Sequence, residues 1–324
     1  MLVPTFWAEG RVRQRAGDKP RTIRRFGWSD TSQEDAQRHA DERAAEAMAR
    51  AQAGERIEPR ERKTPYGEEG LPIREEILAR HGDSIVTRNA YGAHCLNTPS
   101  ALFIDVDTPD STLPPKVSGG IYLAVIVGLQ LAVWGRGFGW HAGALVVSLF
   151  LAVFVQTVID RLNRRFDRTP ELLTRQRVDA FIAAHADWRI RLYETPAGFR
   201  LLVTHRPFDP ADPLAQAAMT AAGADRLYQR MSLAQRCFRA RVTGKPWRMG
   251  IAHHMKPRPG TWPINPARRA DRKTWTDAYD ERSRDYAACR FVAESGTAPE
   301  HPDVAPVRAL HDELSRALTT LPIA

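Results

Sequence analysis

Apolar residues are spread unevenly along this chain, and the longest apolar stretch lies in its middle. Residues 117–134 carry no charged side chain, and residues 140–159 are interrupted by little more than His141 and Gln156. At a rise of about 1.5 Å per residue, roughly 20 apolar residues match the hydrocarbon core of a bilayer. The pattern therefore predicts a two-helix transmembrane hairpin, with its turn at residues 135–139 between the interfacial Trp134 and Trp140.

Charged residues around this hairpin predict its orientation. Lys116 precedes the first run, and the second is followed by Arg161, Arg164, Arg165 and Arg168. Positive residues beside a span mark the cytoplasmic side, so we expect both termini in the cytoplasm. Two spans return the chain to its starting side, which lets residues 1–116 and 160–324 fold together. The alternative is a helical pair buried in a large soluble core, because about 18 residues is near the lower limit for a span.

The remaining residues show the shorter patterns of mixed α and β structure. In residues 1–53, strand-like runs at 6–13 and 21–28 predict a β-hairpin, and the alanine-rich stretch 32–53 predicts a long surface helix that packs against it. Residues 54–83 predict a linker and then a short helix at 73–81. An α/β domain begins at 84–116 and continues over 160–324, on either side of the membrane hairpin at 117–159.

Within this α/β domain the elements follow from periodicity and turn chemistry. Strands are predicted at 84–89, 101–106, 188–194, 199–205, 237–251 and 286–293, helices at 170–184, 212–233 and 303–320, and a basic, proline-rich loop at 253–275. The predicted fold class is α+β, a mixed sheet with flanking helices, interrupted by a two-helix transmembrane hairpin.

Two carboxylates at the end of one predicted strand are the first candidate for chemistry. Asp105 and Asp107 lie two residues apart after an apolar run, so in a strand they project from the same face. Adjacent carboxylates repel unless they are solvated or share a cation, and this spacing suits Mg²⁺ or Mn²⁺ bound together with phosphate oxygens. The alternative is an acidic strand end, where aspartate is common for turn reasons.

Basic residues mixed with aromatic ones form a second candidate site. Arg239 and Arg241 are two apart in a strand-like run, and Lys245, Trp247 and Arg248 follow. Arginine pairs with phosphate through two parallel hydrogen bonds, and an indole ring stacks on a base. The alternatives are a charged edge strand or a surface resting on anionic lipid.

Two further basic positions are ambiguous. His205, at the end of its strand, either joins this basic face or caps the sheet. The adjacent His253 and His254 do not form a metal pair from a strand, since neighbouring side chains point to opposite faces.

Composition adds a general expectation about partners and compartment. The net charge of +9 favours an anionic partner, either nucleic acid or a lipid surface. Arginines far outnumber the six lysines, which is typical of a GC-rich coding bias and places the hairpin in a bacterial inner membrane. Such a bias explains the choice of arginine over lysine but not the excess of positive charge. The widely separated Cys95, Cys237 and Cys289 give neither a disulfide framework nor a metal-spaced pair.

The order of these motifs resembles the catalytic core of archaeo-eukaryotic-type primases. The resemblance rests on the strand ending in Asp105 and Asp107, and on the strand pair whose turn and second member run from Thr195 to His205. It implies that the two aspartates bind a divalent metal and that His205 contacts a nucleotide phosphate. The chain departs from the family pattern, because Thr204 and His205 are adjacent where the family has Ser-x-His. A third carboxylate is not evident, and a membrane hairpin within the domain is unexpected.

Two classes of function follow. In the first, a membrane-tethered protein binds nucleotide or nucleic acid, or transfers nucleotidyl groups, with a metal on Asp105 and Asp107 and phosphates held by His205, Arg239, Arg241, Lys245 and Arg248. In the second, a non-catalytic membrane-anchored domain binds a protein partner or anionic lipid. The first predicts that the carboxylates and the basic strand converge on one cleft.

Overall fold

A computed structural model describes residues 1–16, 19–61, 72–109, 115–165, 169–258, 260 and 262–324. The chain forms two compact units, one made of Met1–Val106 together with Phe181–Ala324, the other of Asp107–Ala180. The described residues contain three sheets and eight α-helices. The predicted α+β class is confirmed.

The N-terminal residues form a β-hairpin with a helix on one face. Strand β1 (Phe6–Ala16) pairs with β2 (Lys19–Ser29), and helix α1 (Gln33–Gln52) begins at Ser32, whose side chain accepts from the Asp35 N–H. The buried face of α1 consists of Ala36, Ala40, Ala44, Ala47, Met48 and Ala51. Glycines at positions 10 and 27 face Ala40 so closely that a methyl group on either would overlap its backbone. This close approach lets a thin alanine face pack tightly.

The first four-stranded sheet has the order β3-β4-β5-β9. Its strands are β3 (Glu76–His81), β4 (Ser84–Arg88), β5 (His94–Thr98) and β9 (Phe238–Arg241). The predicted helix at 73–81 is wrong. His81 pairs with Ser84 across a two-residue turn of Gly82 and Asp83, and Gly82 has φ +57°. Pairing with the buried β4 therefore overrides the helical propensity of this segment.

The second four-stranded sheet has the order β10-β7-β8-β6. Its strands are β6 (Phe103–Asp107), β7 (Ile190–Thr195), β8 (Gly198–Val203) and β10 (Arg290–Ser295). The predicted hairpin of β7 and β8 is present, with Thr195 paired to Gly198. The single mixed sheet of the prediction is thus two separate sheets.

Four further helices lie in the larger unit, and three predicted segments in this part of the chain differ from the structure. The predicted helix 212–233 is two helices, α5 (Pro213–Ala222) and α6 (Arg226–Gln235), because Gly223 ends the first in the left-handed conformation and Asp225 caps the second. The predicted strand 237–251 ends at Arg241 and is followed by a 3₁₀ turn at Pro246–Arg248. The C-terminal part of the predicted loop 253–275 is helical, since α7 spans Arg269–Ser283. Helix α8 spans Ala305–Ser315.

The smaller unit contains a helical hairpin. Helix α2 (Pro115–Ala132) is joined to α3 (Phe138–Arg165) by a short turn, and α4 (Pro170–Ala184) begins in this unit. His141 Nδ1 lies 2.8 Å from Gln130 Oε1 across the two helices. Among the described side chains of α3, those of Ala144, Ser148 and Ala152 are buried, and such small residues permit close helix packing.

Of these helices only one meets the requirements for a membrane span within the described residues. Phe138–Ile159 is 22 residues long, apolar and mostly unburied, whereas the apolar described part of α2 is limited to Tyr122–Ala132. Of the two predicted transmembrane helices, only α3 is thus long and apolar enough, within the described residues, to cross a membrane, and the two-helix transmembrane hairpin is not confirmed. The side chains of Lys116, Arg164 and Arg165 and the whole of Arg168, on which the orientation partly depends, lie outside the described residues.

Candidate anion-binding site

Asp105 on β6 is bound by a buried arginine of the neighbouring strand. Arg200 on β8 donates from Nε to Asp105 Oδ1 (2.6 Å) and from Nη2 to Asp105 Oδ2 (3.0 Å). Only 4% of the Arg200 side chain is exposed. Burial opposes the charge of this guanidinium, but attraction to Asp105 outweighs it, and the pKa of Arg200 is raised. The buried Arg200 guanidinium is thus paired, through two parallel hydrogen bonds, with an Asp105 side chain that is 30% exposed.

Arg200 is also the centre of a longer buried network. Its Nη1 donates to the Arg241 carbonyl (2.9 Å) and to His311 Nε2 (3.3 Å), and His311 Nδ1 lies 3.2 Å from Asp312 Oδ1. A guanidinium has no acceptor. The hydrogen bond from Arg200 requires a lone pair on Nε2 of His311, and Cys289 Sγ lies 3.9 Å from the same atom. Burial opposes the charged form of His311, but the neighbouring Cys289 and the hydrogen bond to Asp312 outweigh it, so the pKa of His311 is raised.

Asp312 on α8 closes this network against the sheet. It accepts from Tyr193 Oη (2.6 Å) and from Arg191 Nη2 (2.9 Å). Burial favours protonation of Asp312, but hydrogen bonds from His311 and Tyr193 outweigh it, so its pKa is lowered. Burial and the neighbouring Asp312 raise the pKa of Tyr193. Each of these side chains thus has a hydrogen-bond partner within the larger unit.

The pairing of Asp105 with Arg200 conflicts with the predicted metal site. Both oxygens of Asp105 are directed at Arg200, whose charge stands where a metal ion would have to bind. Asp107 is exposed at the end of β6. Across the described ranges, no group of three or more His, Cys, Asp or Glu side chains is arranged to hold a metal ion. In this arrangement Asp105 does not fit a Mg²⁺ or Mn²⁺ site, and metal binding stays a prediction.

Arg239, predicted to bind phosphate, is also engaged inside the protein. Its Nη2 contacts both carboxylate oxygens of Glu75, at 2.8 and 2.6 Å, and Glu75 also accepts from Thr87 Oγ1 at 2.7 Å. The Arg239 side chain is 8% exposed. Its charge is therefore neutralised beneath the first four-stranded sheet, and it is not presented to a ligand.

The remaining predicted phosphate ligands of the same segment lie between the end of β9 and the 3₁₀ turn. Arg241 donates to the main-chain oxygens of Thr243 (2.7 Å) and Ala324 (3.1 Å). The Lys245 ammonium lies 5.6 Å from the centre of the Trp247 ring, and Arg248 ends the 3₁₀ turn.

His205 is a member of an aromatic cluster at the other end of β8. Its ring centre lies 4.9 Å from that of Trp188 and 5.8 Å from that of Phe208. Burial, and then the charge of Arg206, lower the pKa of His205. His205 follows the end of β8 at Val203, whereas Arg200, the partner of Asp105, lies within that strand. The contact of His205 with a nucleotide phosphate stays a prediction.

A basic cleft that the sequence interpretation did not select is formed by the segment that joins the 3₁₀ turn to α7. We define the basic cleft by its lining residues, which are Ala252, His253, His254, Lys256, Pro257, Arg258 and Arg268, and its volume is about 320 Å³. Arg268 binds Asp271 at 2.6 Å. The side chains of the other four basic residues make no hydrogen bond or ion pair within the part of the chain that the structure describes. The lining thus contains cations and imidazoles without any carboxylate.

Side chains of helix α7 bind the backbone of the segment that forms the basic cleft. Arg272 Nη2 donates to the Gly260 carbonyl (3.1 Å), and Trp275 Nε1 donates to the His253 carbonyl (3.1 Å). Gly260 has φ +75° and lies so close to the Ala90 carbonyl that a side chain would overlap it. The backbone of the basic cleft is therefore fixed while its cationic side chains remain exposed. The sequence signal was the density of basic residues around proline in 253–268.

Comparisons with protein families, with characterised proteins and with solved structures found no match to this chain. The resemblance to primases consequently stays a prediction. The fold and the site define an α+β protein that has one helix suited to cross a membrane and an exposed basic cleft on its larger unit.

Proposed function

We propose that this protein is anchored in a membrane by its helical hairpin and that its larger unit binds a phosphate-bearing anion in the basic cleft. The observation that carries the proposal is the contrast in charge pairing. Arg200 and Arg239 are neutralised by carboxylates, whereas Lys256 and Arg258 have no partner among the described residues. The cleft has a volume of about 320 Å³ and is lined by four basic side chains without partners, which match the size and charge of one or two phosphate groups.

Membrane anchoring is supported by the surface of α3. Phe150 and Phe154 are 74% and 63% exposed, and the neighbouring aliphatic side chains are similarly uncovered. A core helix of a soluble protein would bury such residues. A lipid environment accounts for this surface, since it covers an all-round apolar helix without any protein partner.

Chain connectivity supports a second crossing. Strands β5 and β9 are paired, although β5 precedes the helical hairpin and β9 follows it. If α3 alone crossed the bilayer, these strands would lie on opposite sides and could not pair. In this proposal the chain returns through α2, the described helix between β6 and α3. Its 18 residues extend about 27 Å, close to the hydrocarbon thickness.

Labelling of introduced cysteines tests this topology. The variant Gly137→Cys places a thiol in the turn between the helices, and Arg226→Cys places one on the exposed surface of α6. We expect an impermeant maleimide to label Gly137→Cys in intact cells, and Arg226→Cys only after the membrane is opened. Labelling of both or neither in intact cells contradicts the two-span arrangement.

Calorimetry on the detergent-purified chain tests the basic cleft. The probes are inorganic pyrophosphate and a nucleoside triphosphate, each titrated without added metal. We expect saturable binding that is weakened at least tenfold by the pair Lys256→Gln and Arg258→Gln, since each charged hydrogen bond contributes about 1.5–3 kcal/mol. The matched control is Arg226→Gln with Arg230→Gln, which removes equal charge from α6.

Three outcomes would count against the cleft. The wild type shows no binding at millimolar anion, the cleft pair binds as well as the wild type, or both pairs weaken binding equally. Binding to vesicles of anionic phospholipid alone, with no response to pyrophosphate, would identify the ligand as a membrane surface. Metal-dependent nucleotidyl transfer has weaker support, because Arg200 occupies both Asp105 oxygens. The same calorimeter tests it with Mg²⁺ and Mn²⁺.

A further inference from the structure

One exposed face of the N-terminal hairpin is rich in arginine. Arg11, Arg13 and Arg15 alternate along β1 and so project from the same face, and Arg24 lies directly opposite Arg11 on β2. We call these four residues the arginine face. The side chains of the three arginines of β1 are exposed and make no hydrogen bond or ion pair with any residue that the structure describes. The only carboxylate paired with this face there is Glu9, 3.5 Å from Arg24.

The construction of the hairpin leaves this face open. Helix α1 packs on the opposite face, where Gly10 and Gly27 meet Ala40. Arg21 and Arg25, which alternate with Arg24 on β2, point away from the arginine face and donate to the carbonyls of Ile57 and Glu58. Arg11 directly opposite Arg24 places two like charges side by side, and such cross-strand pairs destabilise a hairpin that has no anionic ligand.

The dimensions of the arginine face fit a double helix. Two paired strands form a ribbon of the width that the major groove of B-DNA admits. Alternate residues of a strand are about 7 Å apart, so three arginines extend over about two steps of that length. Arginine binds phosphate in a bidentate manner and binds guanine O6 and N7 in the same way. We propose that the hairpin is a duplex-DNA-binding ribbon whose arginine face enters the major groove.

The composition of this face favours DNA over a lipid surface. Elements that lie on membranes combine basic residues with apolar side chains that enter the acyl region. On the same side of the hairpin, Thr22 and Pro20 lie opposite Arg13 and Arg15, so these described positions hold no aromatic or large aliphatic side chain. The aromatic residues on this side lie at the other end of the hairpin, where Trp7 is buried and Arg74 covers Phe26. A ribbon of this kind gains its affinity from phosphates and base edges.

The test is fluorescence anisotropy on the full chain in a non-ionic detergent, with a short labelled DNA duplex of mixed sequence. With three phosphates neutralised, affinity should fall about 40-fold between about 50 and 200 mM salt. The pair Arg11→Gln and Arg13→Gln should reduce this fall to about fourfold, because each arginine contributes about one unit of the salt slope. The matched control is Arg38→Gln with Arg50→Gln on α1, which removes equal charge and should leave the slope unchanged. Thermal melting of each variant verifies folding.

Other probes separate the alternatives. Duplex RNA should bind at least tenfold more weakly, because the A-form major groove is deep and narrow. Equal affinity for duplex RNA would overturn the groove assignment. An unchanged salt slope in the Arg11 and Arg13 variant, or an equal change in the control, would overturn the arginine face itself. Arginine-dependent binding to anionic vesicles with none to DNA would assign this surface to the membrane.

Discussion

The substitution Asp105→Asn distinguishes a structural aspartate from a metal ligand. In the structure, this change leaves the guanidinium of Arg200 buried without its counter-charge, although the amide oxygen retains one hydrogen bond. Removal of one partner from a buried ion pair costs about 3–5 kcal/mol, and the retained hydrogen bond places the expected loss near the lower limit, about 3 kcal/mol. For a folded unit of this size, that loss corresponds to a fall in Tm of roughly 6–12 °C.

The assay is thermal unfolding of the detergent-purified protein, followed by tryptophan fluorescence. Asp107→Asn is the matched control, since Asp107 is exposed at the end of the same strand, and its change should stay within about 0.5 kcal/mol. The double change Asp105→Leu with Arg200→Met should recover most of the lost stability, because an apolar pair of similar volume replaces a buried ion pair at little or no cost.

Two results would refute this reasoning. If Asp105→Asn melts within about 2 °C of the wild type, the ion pair does not stabilise the fold as calculated. If Mg²⁺ or Mn²⁺ raises the Tm of the wild type but not that of Asp105→Asn or Asp107→Asn, both carboxylates bind metal and Arg200 must move aside to permit it.

Three further predictions concern other parts of the larger unit. Gly27→Ala should destabilise the N-terminal hairpin by about 1–3 kcal/mol, because the methyl group overlaps α1 backbone, while Gly139→Ala, which has open space around it, should not lower the melting temperature. Burial opposes ionisation of Asp280, but hydrogen bonds from His94 and Arg88 lower its pKa to about 2. Asp280 should thus contribute about 1 kcal/mol to the free energy of unfolding at neutral pH, after allowance for its partial exposure. This contribution should be lost as the pH falls from about 4 to 2, and it should be absent from Asp280→Asn in acid titrations of stability. Native Cys237 should not react with a thiol reagent at neutral pH, because burial raises its pKa to about 12, and the reaction should appear only in denaturant.

Local patterns predicted most of the secondary structure, and the exceptions have identifiable causes. The alanine-rich helix and its hairpin were predictable from periodicity and turn residues. The strand at Glu76–His81 was predicted as a helix, yet its end carries Gly82 and Asp83, a two-residue turn typical of hairpins. The turn residues were the better guide, because strand pairing with β4 outweighs a weak helical preference.

The buried network was harder to predict because its partners are far apart in sequence. Asp105 and Arg200 are separated by 95 residues, and no local pattern joins them. A clue was nevertheless present, since β8 is an apolar strand with one charged residue, Arg200. A charge at a buried strand position needs an opposite charge nearby, and Asp105 stands in a second strand of the same apolar kind. The same features that suggested metal chemistry therefore have a structural explanation.

The basic side chains of this protein divide into those that are paired with carboxylates inside the fold and those that are not. Arg88 is bound by Asp280, and Arg200 and Arg239 are bound by Asp105 and Glu75, so these buried arginines add nothing to the charge presented to a ligand. Within the described residues, the arginine face and the basic cleft each hold several basic side chains without partners, although Arg24 is paired with Glu9 and Arg268 with Asp271. They differ in shape, because the first is an extended ribbon and the second is a concave site of about 320 Å³. An extended row of charges binds a polyanion with a steep dependence on salt, whereas a concave site of this volume binds a small anion to saturation. The two proposals can therefore fail independently, and the salt dependence of DNA binding and the stoichiometry of pyrophosphate binding show which region accounts for the excess positive charge.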